Sequence, residues 1–187
     1  MTSHFRIAII GGGIAGCSVM YRLAEKGCAD VVLLEKSELT SGSTWHAAGN
    51  LPLYMGGHTL THIHKSSLDF YGDFETRVNR DIGLHRCGSL KVATTEEEAR
   101  DQKAHESVAR KAGIAFEMVE PSVITHQFPY VSTEGVLCAA WSPDDGHVDP
   151  TSLTTALADS AREMGAKVFR HRPVTGIERT TSGAWKL

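Results

Sequence analysis

The chain has 187 residues, 41% of them hydrophobic and 22% charged, with a formal net charge of -3. That composition is globular, and the length suits one domain with a core or part of a larger enzyme. No dense Lys/Arg block and no run of about 18 apolar residues occurs, which argues against a nucleic-acid partner and against a membrane span.

In chain order, "FRIAII" (5–10) is a short apolar run ending at glycines, the pattern of a buried strand. Residues 14–26 read as a helix with Ile14, Val19 or Met20, and Leu23 able to face inward, stopped by Gly27. "VVLLE" (31–35) is a second buried strand. Strand, helix and strand in this order predict a βαβ unit with a parallel pair. Residues 36–58 show no sustained period and many small residues, and are expected to be a loop, with or without a short helical turn. From 59 to 80 helical spacing returns, with Leu60, Ile63, Ser67, Phe70, Phe74 and Val78 on one stripe.

"GSLKVATT" (88–95) reads as a strand, and "EEEARDQKAHESVARKAG" (96–113) as a charged helix whose acidic residues lead and basic residues trail, as the helix dipole prefers. Residues 115–119 and 136–141 are expected strands around a Pro-bearing connection. Asp149 is placed to cap the next helix, with Pro150 at its first position and Leu153, Leu157, Ala161 and Met164 facing inward. "KVFRHR" and "VTGIER" are expected strands, and "AWKL" after the turn "TTSG" starts another, so a truncated larger protein is expected.

The four cysteines, Cys17, Cys28, Cys87 and Cys138, make no C-x-x-C pair and are expected as reduced thiols buried like small hydrophobes. The N-terminus carries one Arg and too short an apolar run for a secretory signal, so a cytoplasmic location is expected. His58, His62 and His64 lie close together, but without a partnering Cys or Asp at ligand spacing they read as a solvated helix start, and no metal site is expected. "DDGHVD" (144–149) hints at a calcium loop, but loop position twelve is Thr155 instead of glutamate, so it reads as a turn and a cap.

The chemistry concentrates in two places. "GGGIAG" (11–16) holds G-x-G-x-x-G as Gly11, Gly13 and Gly16, after a predicted strand and opening a predicted helix. In that setting the first glycine makes the tight turn, the second lets the backbone approach a pyrophosphate, and the third lets helix and strand pack closely. The helix N-terminus favours the anion. Glu35 ends the second strand, 19 residues after Gly16, where an acidic residue accepts ribose hydroxyls and disfavours a 2′-phosphate. The second place is "TSGSTWHAAGN" (40–50), small residues around Trp45 and His46 that follow Glu35 directly. Ser43 and Thr44 offer hydroxyls and N–H groups to phosphate oxygens. By its position alone His46 is open to packing, to substrate binding or to a bond with the cofactor.

"VVLLEKSELTSGSTWHAAG", with "CGSLKVATT" (87–95) and "SPDDGHVDPTSLTTALADSAREMGAKV" (142–168), resembles the flavin domain of the dimethylglycine and sarcosine dehydrogenases, within the D-amino-acid-oxidase-like superfamily. The resemblance covers essentially the whole chain; Asn50-Leu51-Pro52 departs from it where a leucine is expected. It implies a Rossmann-like FAD-binding domain, a parallel sheet with helices, plus part of an antiparallel substrate-domain sheet. Residues 1–50 and about 150–187 would be dinucleotide-binding, and about 80–145 a partial substrate or cap region. It implies FAD carried covalently by His46, through a ring nitrogen to the flavin 8α-methyl carbon. The expected cofactor-binding set is Gly11, Gly13, Ile14, Ala15, Gly16, Glu35, Lys36, Ser43, Thr44, Trp45, His46, Asn50 and Val174; no catalytic acid–base pair is assigned. The implied activity is oxidation of an N-methylated glycine such as dimethylglycine or sarcosine, by hydride transfer from the carbon next to nitrogen. The implied partners are a small-molecule amine and an electron acceptor, oxygen or an electron-transfer protein, with tetrahydrofolate in a further C-terminal module. A non-catalytic, nucleotide-binding regulatory module of the same superfamily is the alternative.

Overall fold

A computed structural model describes residues 4–187. In chain order the elements are β1 (Ile7–Ile10), α1 (Ile14–Glu25), β2 (Val31–Leu34), β3 (Asn50–Leu51), α2 (His58–Val78), β4 (Ser89–Ala93), α3 (Glu96–Lys111) and β5 (Glu117–Val119). There follow α4 (Pro121–Gln127), β6 (Cys138–Ser142), β7 (Gly146–His147), α5 (Pro150–Glu163), β8 (Lys167–Phe169), β9 (Glu178–Arg179) and β10 (Trp185–Lys186). The backbone divides into two compact units. Among the described residues one comprises 4–48, 80–83 and 149–187, and the other 49–79 and 84–148.

The first unit is built on a parallel sheet of order β1-β2-β8, with Ile7 opposite Val31 and Leu33 opposite Val168. The β-branched run of β2 lies in the middle, and Val31, Val32 and Leu33 are buried. β1 does not read as fully buried: its residues alternate and Ile10 is 53% exposed. Among the described residues it pairs only with β2, at one edge of the β1-β2-β8 order. Helices α1 and α5 pack on each other, α1 also on β1 and β2 and α5 on β8. The buried residues are Cys17, Met20, Tyr21 and Ala24 on α1, and Leu153, Ala156, Leu157, Ala158 and Ala161 among those on α5. Of Val19 and Met20 it is Met20 that turns inward, Val19 being exposed, and Met164, expected on the buried face of α5, is exposed at the helix end. Asp149 caps α5 through Ser152 N–H, with Pro150 in the first turn, as its sequence position predicts. β9 and β10 form an antiparallel pair.

The second unit holds an antiparallel sheet of order β4-β6-β5 and a two-residue pairing of β3 with β7. The β3 strand lies inside the segment read as loop; two residues carry no period to detect. Helix α3 packs on all three strands of the larger sheet. It opens with a capping box between Thr95 and Glu98, three acidic residues in its first turn, and Arg110 and Lys111 in its last. A core of Leu53, Leu68, Ala109 and Ile114 joins α2 and α3 to the 51–54 segment. The buried side of α2 is not the predicted stripe: Thr61, Leu68 and Phe74 are inside, while Leu60 and Ile63 are more than half exposed. Hydrogen bonds turn the helix. The Thr61 hydroxyl accepts from Met55 N–H at 3.3 Å, and the His64 ring donates from Nδ1 to the Pro52 carbonyl at 2.8 Å. The predicted burial of all four cysteines also fails: Cys17 is buried, Cys28 and Cys138 are partly so, and Cys87 is exposed.

Candidate functional site

Three chain segments of the first unit build the site: the turn after β1, the end of β2 with its following loop, and the segment after β8. Gly11 takes φ 106°, the left-handed backbone that a tight strand-to-helix turn requires. A Cβ on Gly16 would stand 2.0 Å from the Gly11 carbonyl oxygen, so only glycine lets α1 start this close to β1. A Cβ on Gly13 would meet the Thr44 hydroxyl at 2.9 Å. That hydroxyl accepts from Ile14 N–H at 3.0 Å and is buried with its residue. Thr44 therefore satisfies one of the helix-start amides that have no intrahelical acceptor, and its own hydroxyl hydrogen stays available to an anion there.

Glu35 is buried at the end of β2, and its carboxylate clasps the turn. One oxygen accepts from Gly12 N–H at 2.7 Å, the other from Ser37 N–H at 2.8 Å. A carboxylate has about four acceptor positions, so capacity for hydroxyl donors remains. Gly12, which the sequence reading passed over, is thus part of the site: a Cβ there would meet Leu39 Cδ2 at 2.6 Å. Near this charge the Cys17 thiol is pushed up to about 12, by burial first and by the Glu35 carboxylate second. It is a buried packing residue of α1.

The 40–47 loop is tied down locally, by Thr40 N–H to the Gly12 carbonyl and by Trp45 N–H to the Thr40 carbonyl, each at 3.0 Å. Thr44 points in; Ser43, Trp45 and His46 point out, Trp45 being 67% exposed. The His46 ring nitrogen Nδ1 lies 3.0 Å from the Gly42 carbonyl. A carbonyl only accepts, so Nδ1 is the donor, and in the neutral ring this leaves the lone pair on Nε2.

The segment after β8 extends the pairing beyond the strand. Glu35 N–H donates to the Phe169 carbonyl and Arg172 N–H to the Glu35 carbonyl, at 2.9 and 2.8 Å. Glu38 closes this junction with Arg170 and His171, at 2.6 and 2.8 Å. The Arg170 bond, then the His171 bond, hold the Glu38 carboxyl below its usual range. His171 has φ 56°, an uncommon conformation for a side-chain-bearing residue, held by the Glu38 contact. No sequence signal announces this cluster, which joins residues 132 and 133 positions apart. Val174, just beyond this cluster, is partly buried, and Lys36 and Ala15 are exposed. Of the predicted set, Asn50 alone falls in the other unit, opposite His147 in the β3–β7 pairing.

A glycine turn between strand and helix, an acidic residue ending the next parallel strand and a small-residue loop folded onto the turn make a dinucleotide cradle. The family model described as FAD dependent oxidoreductase (DAO) matches residues 6–187. The chain belongs to the FAD dependent oxidoreductase family. It is 42% identical to the mitochondrial dimethylglycine dehydrogenase of Homo sapiens over 181 residues, 96% of this chain and 21% of that protein. It is 30% identical to the mitochondrial sarcosine dehydrogenase of Homo sapiens over 185 residues, 95% of this chain and 19% of that protein. The chain thus spans about a fifth of the length of these relatives. Among solved structures, L-proline dehydrogenase from P. horikoshii superposes with a TM-score of 0.90 at 26% identity, over 97% of this chain and 48% of that one. The family's fold is therefore the expected one, a parallel sheet with helices plus antiparallel sheets. The glycine turn, where added Cβ atoms would collide, and the Glu35 carboxylate suit the family's FAD. Among the described residues no helix is long and apolar enough to cross a membrane, and no group of three or more His, Cys, Asp or Glu side chains is placed to hold a metal.

Proposed function

We propose that this chain supplies the FAD-binding part of a flavin-dependent amine dehydrogenase or oxidase acting on an N-methylated glycine such as dimethylglycine or sarcosine, and that His46 carries the flavin covalently. The observation that carries the reading is the contact of His46 Nδ1 with the Gly42 carbonyl. That contact occupies Nδ1, and the exposed ring leaves Nε2 as the nitrogen able to bond the flavin 8α carbon. In the same unit Gly11, Gly13 and Gly16 shape the turn for a pyrophosphate, and Ile14, Ala15 and Thr44 stand at the helix start where the dipole favours an anion. Glu35 is the acceptor for the adenosine ribose, with Lys36, Ser43, Trp45, Asn50 and Val174 as further contacts. The bound FAD supplies a hydride acceptor for the C–H next to the amine nitrogen. The electron acceptor would be oxygen or an electron-transfer protein, and tetrahydrofolate the one-carbon acceptor in the full-length protein. A cytoplasmic location is consistent with four cysteines that form no disulfide.

The test uses full-length protein. After acid precipitation, flavin fluorescence should stay on the denatured band, and His46→Ala should remove it. Covalent flavin retained by His46→Ala would overturn the assignment, and protein that binds no flavin at all would favour the regulatory alternative.

A further inference from the structure

We propose that His58 and His62 form a two-nitrogen site for a divalent transition-metal ion of the zinc, nickel or copper kind, which staples the first turn of α2. By sequence alone these histidines lack a partnering Cys or Asp at ligand spacing. The structure adds their geometry. His58 is the first residue of α2, and both rings lie on one exposed side of it, with centroids 4.3 Å apart and Nε2 to Nε2 3.0 Å. Two such nitrogens make a hydrogen bond only when one carries a proton and the other does not. The two ring nitrogens therefore face each other. Two imidazole nitrogens, each about 2.0–2.1 Å from zinc and subtending roughly 90–110°, stand about 2.9–3.4 Å apart. The observed spacing falls inside that range, so an ion can replace the shared proton once each exposed ring swings its Nε2 lone pair to a point beside the nitrogen–nitrogen line.

Imidazole nitrogen selects zinc, copper or nickel over magnesium or calcium, which take oxygen donors. His64 does not join, because its Nδ1 is engaged by the Pro52 carbonyl. Among the described residues no group of three or more such ligands assembles, so water completes the coordination and the ion exchanges freely. The helix has a use for it. Its N-cap is Gly57, with no side-chain cap and no acidic residue in the first turn, and Gly56 before it has φ 74°. A chelate from position i to i+4 closes the turn that the cap leaves loose. The dipole opposes a cation at this end, which keeps the site weak.

The experiment titrates metal-stripped chain, without a polyhistidine tag, with zinc, nickel and copper chlorides, using calorimetry and thermal melting. One equivalent should bind and raise the melting temperature, and magnesium should do neither. His58→Gln and His62→Gln should each weaken binding about tenfold or more, since a linked second donor is lost. Cys87→Ser is the control, because Cys87 Sγ lies 3.6 Å from His147 Nδ1 and is the other place where soft donors meet. Binding unchanged in His62→Gln, or lost in Cys87→Ser instead, would overturn the proposal.

Discussion

Glu35→Gln separates the two things that the Glu35 carboxylate does. In the flavin-free chain it accepts from Gly12 N–H and Ser37 N–H, one on each oxygen. Glutamine keeps one acceptor and turns an NH2 donor toward the other amide, in a buried setting. A hydrogen bond to a charged group contributes about 1.5–3 kcal/mol, and the amide left unpaired adds to the loss, so about 2–4 kcal/mol is expected. For a chain of this size each kcal/mol lowers the melting temperature by about 2–4 °C, giving a fall of roughly 4–16 °C. Thermal melting of the flavin-free wild type and variant, followed by circular dichroism, reads it directly. The same pair, titrated with FAD by fluorescence quenching, reports the ribose contact. A flavin-free melting temperature unchanged within about 1 °C would refute the clasp, even if FAD affinity fell.

Asp149→Ala should cost about 0.5–2 kcal/mol, the usual loss of a helix cap, seen as a lower melting temperature. Hydrogen bonds, that of the Ser152 backbone first, hold the Asp149 carboxyl below its usual range. Its contribution is thus present above about pH 4 and lost as the pH falls through the depressed value, so wild type and variant should converge in strong acid; a gap that persists there would contradict the cap. Under native conditions a thiol reagent should modify exposed Cys87 first and leave Cys17 protected until unfolding, because burial and the Glu35 carboxylate push the Cys17 thiol up to about 12. Mass-spectrometric mapping checks this, and equal labelling of the two would contradict the assigned burial.

What the sequence determined by itself was local. The apolar runs at 7–10 and 31–34, the glycines between strand and helix, Glu35 at a strand end and the Asp149-Pro150 cap each carry their signal within a few residues, because a turn, a cap or a strand is set by neighbours in the chain. Tertiary structure decided which side of an element is buried and which distant groups meet. Thr61 and His64 displaced Leu60 and Ile63 from the inner side of α2 because acceptors and donors at 52–55 arrived beside them. Asp145, which the sequence shows only as part of a turn, became a buried acceptor for Leu53 N–H and the Ser89 hydroxyl, 92 and 56 positions away. Glu38 found Arg170 and His171 across the end of the parallel sheet. A hydrogen bond between remote residues leaves no period in the sequence, since it depends on where the backbone brings its partner and not on the residues beside it.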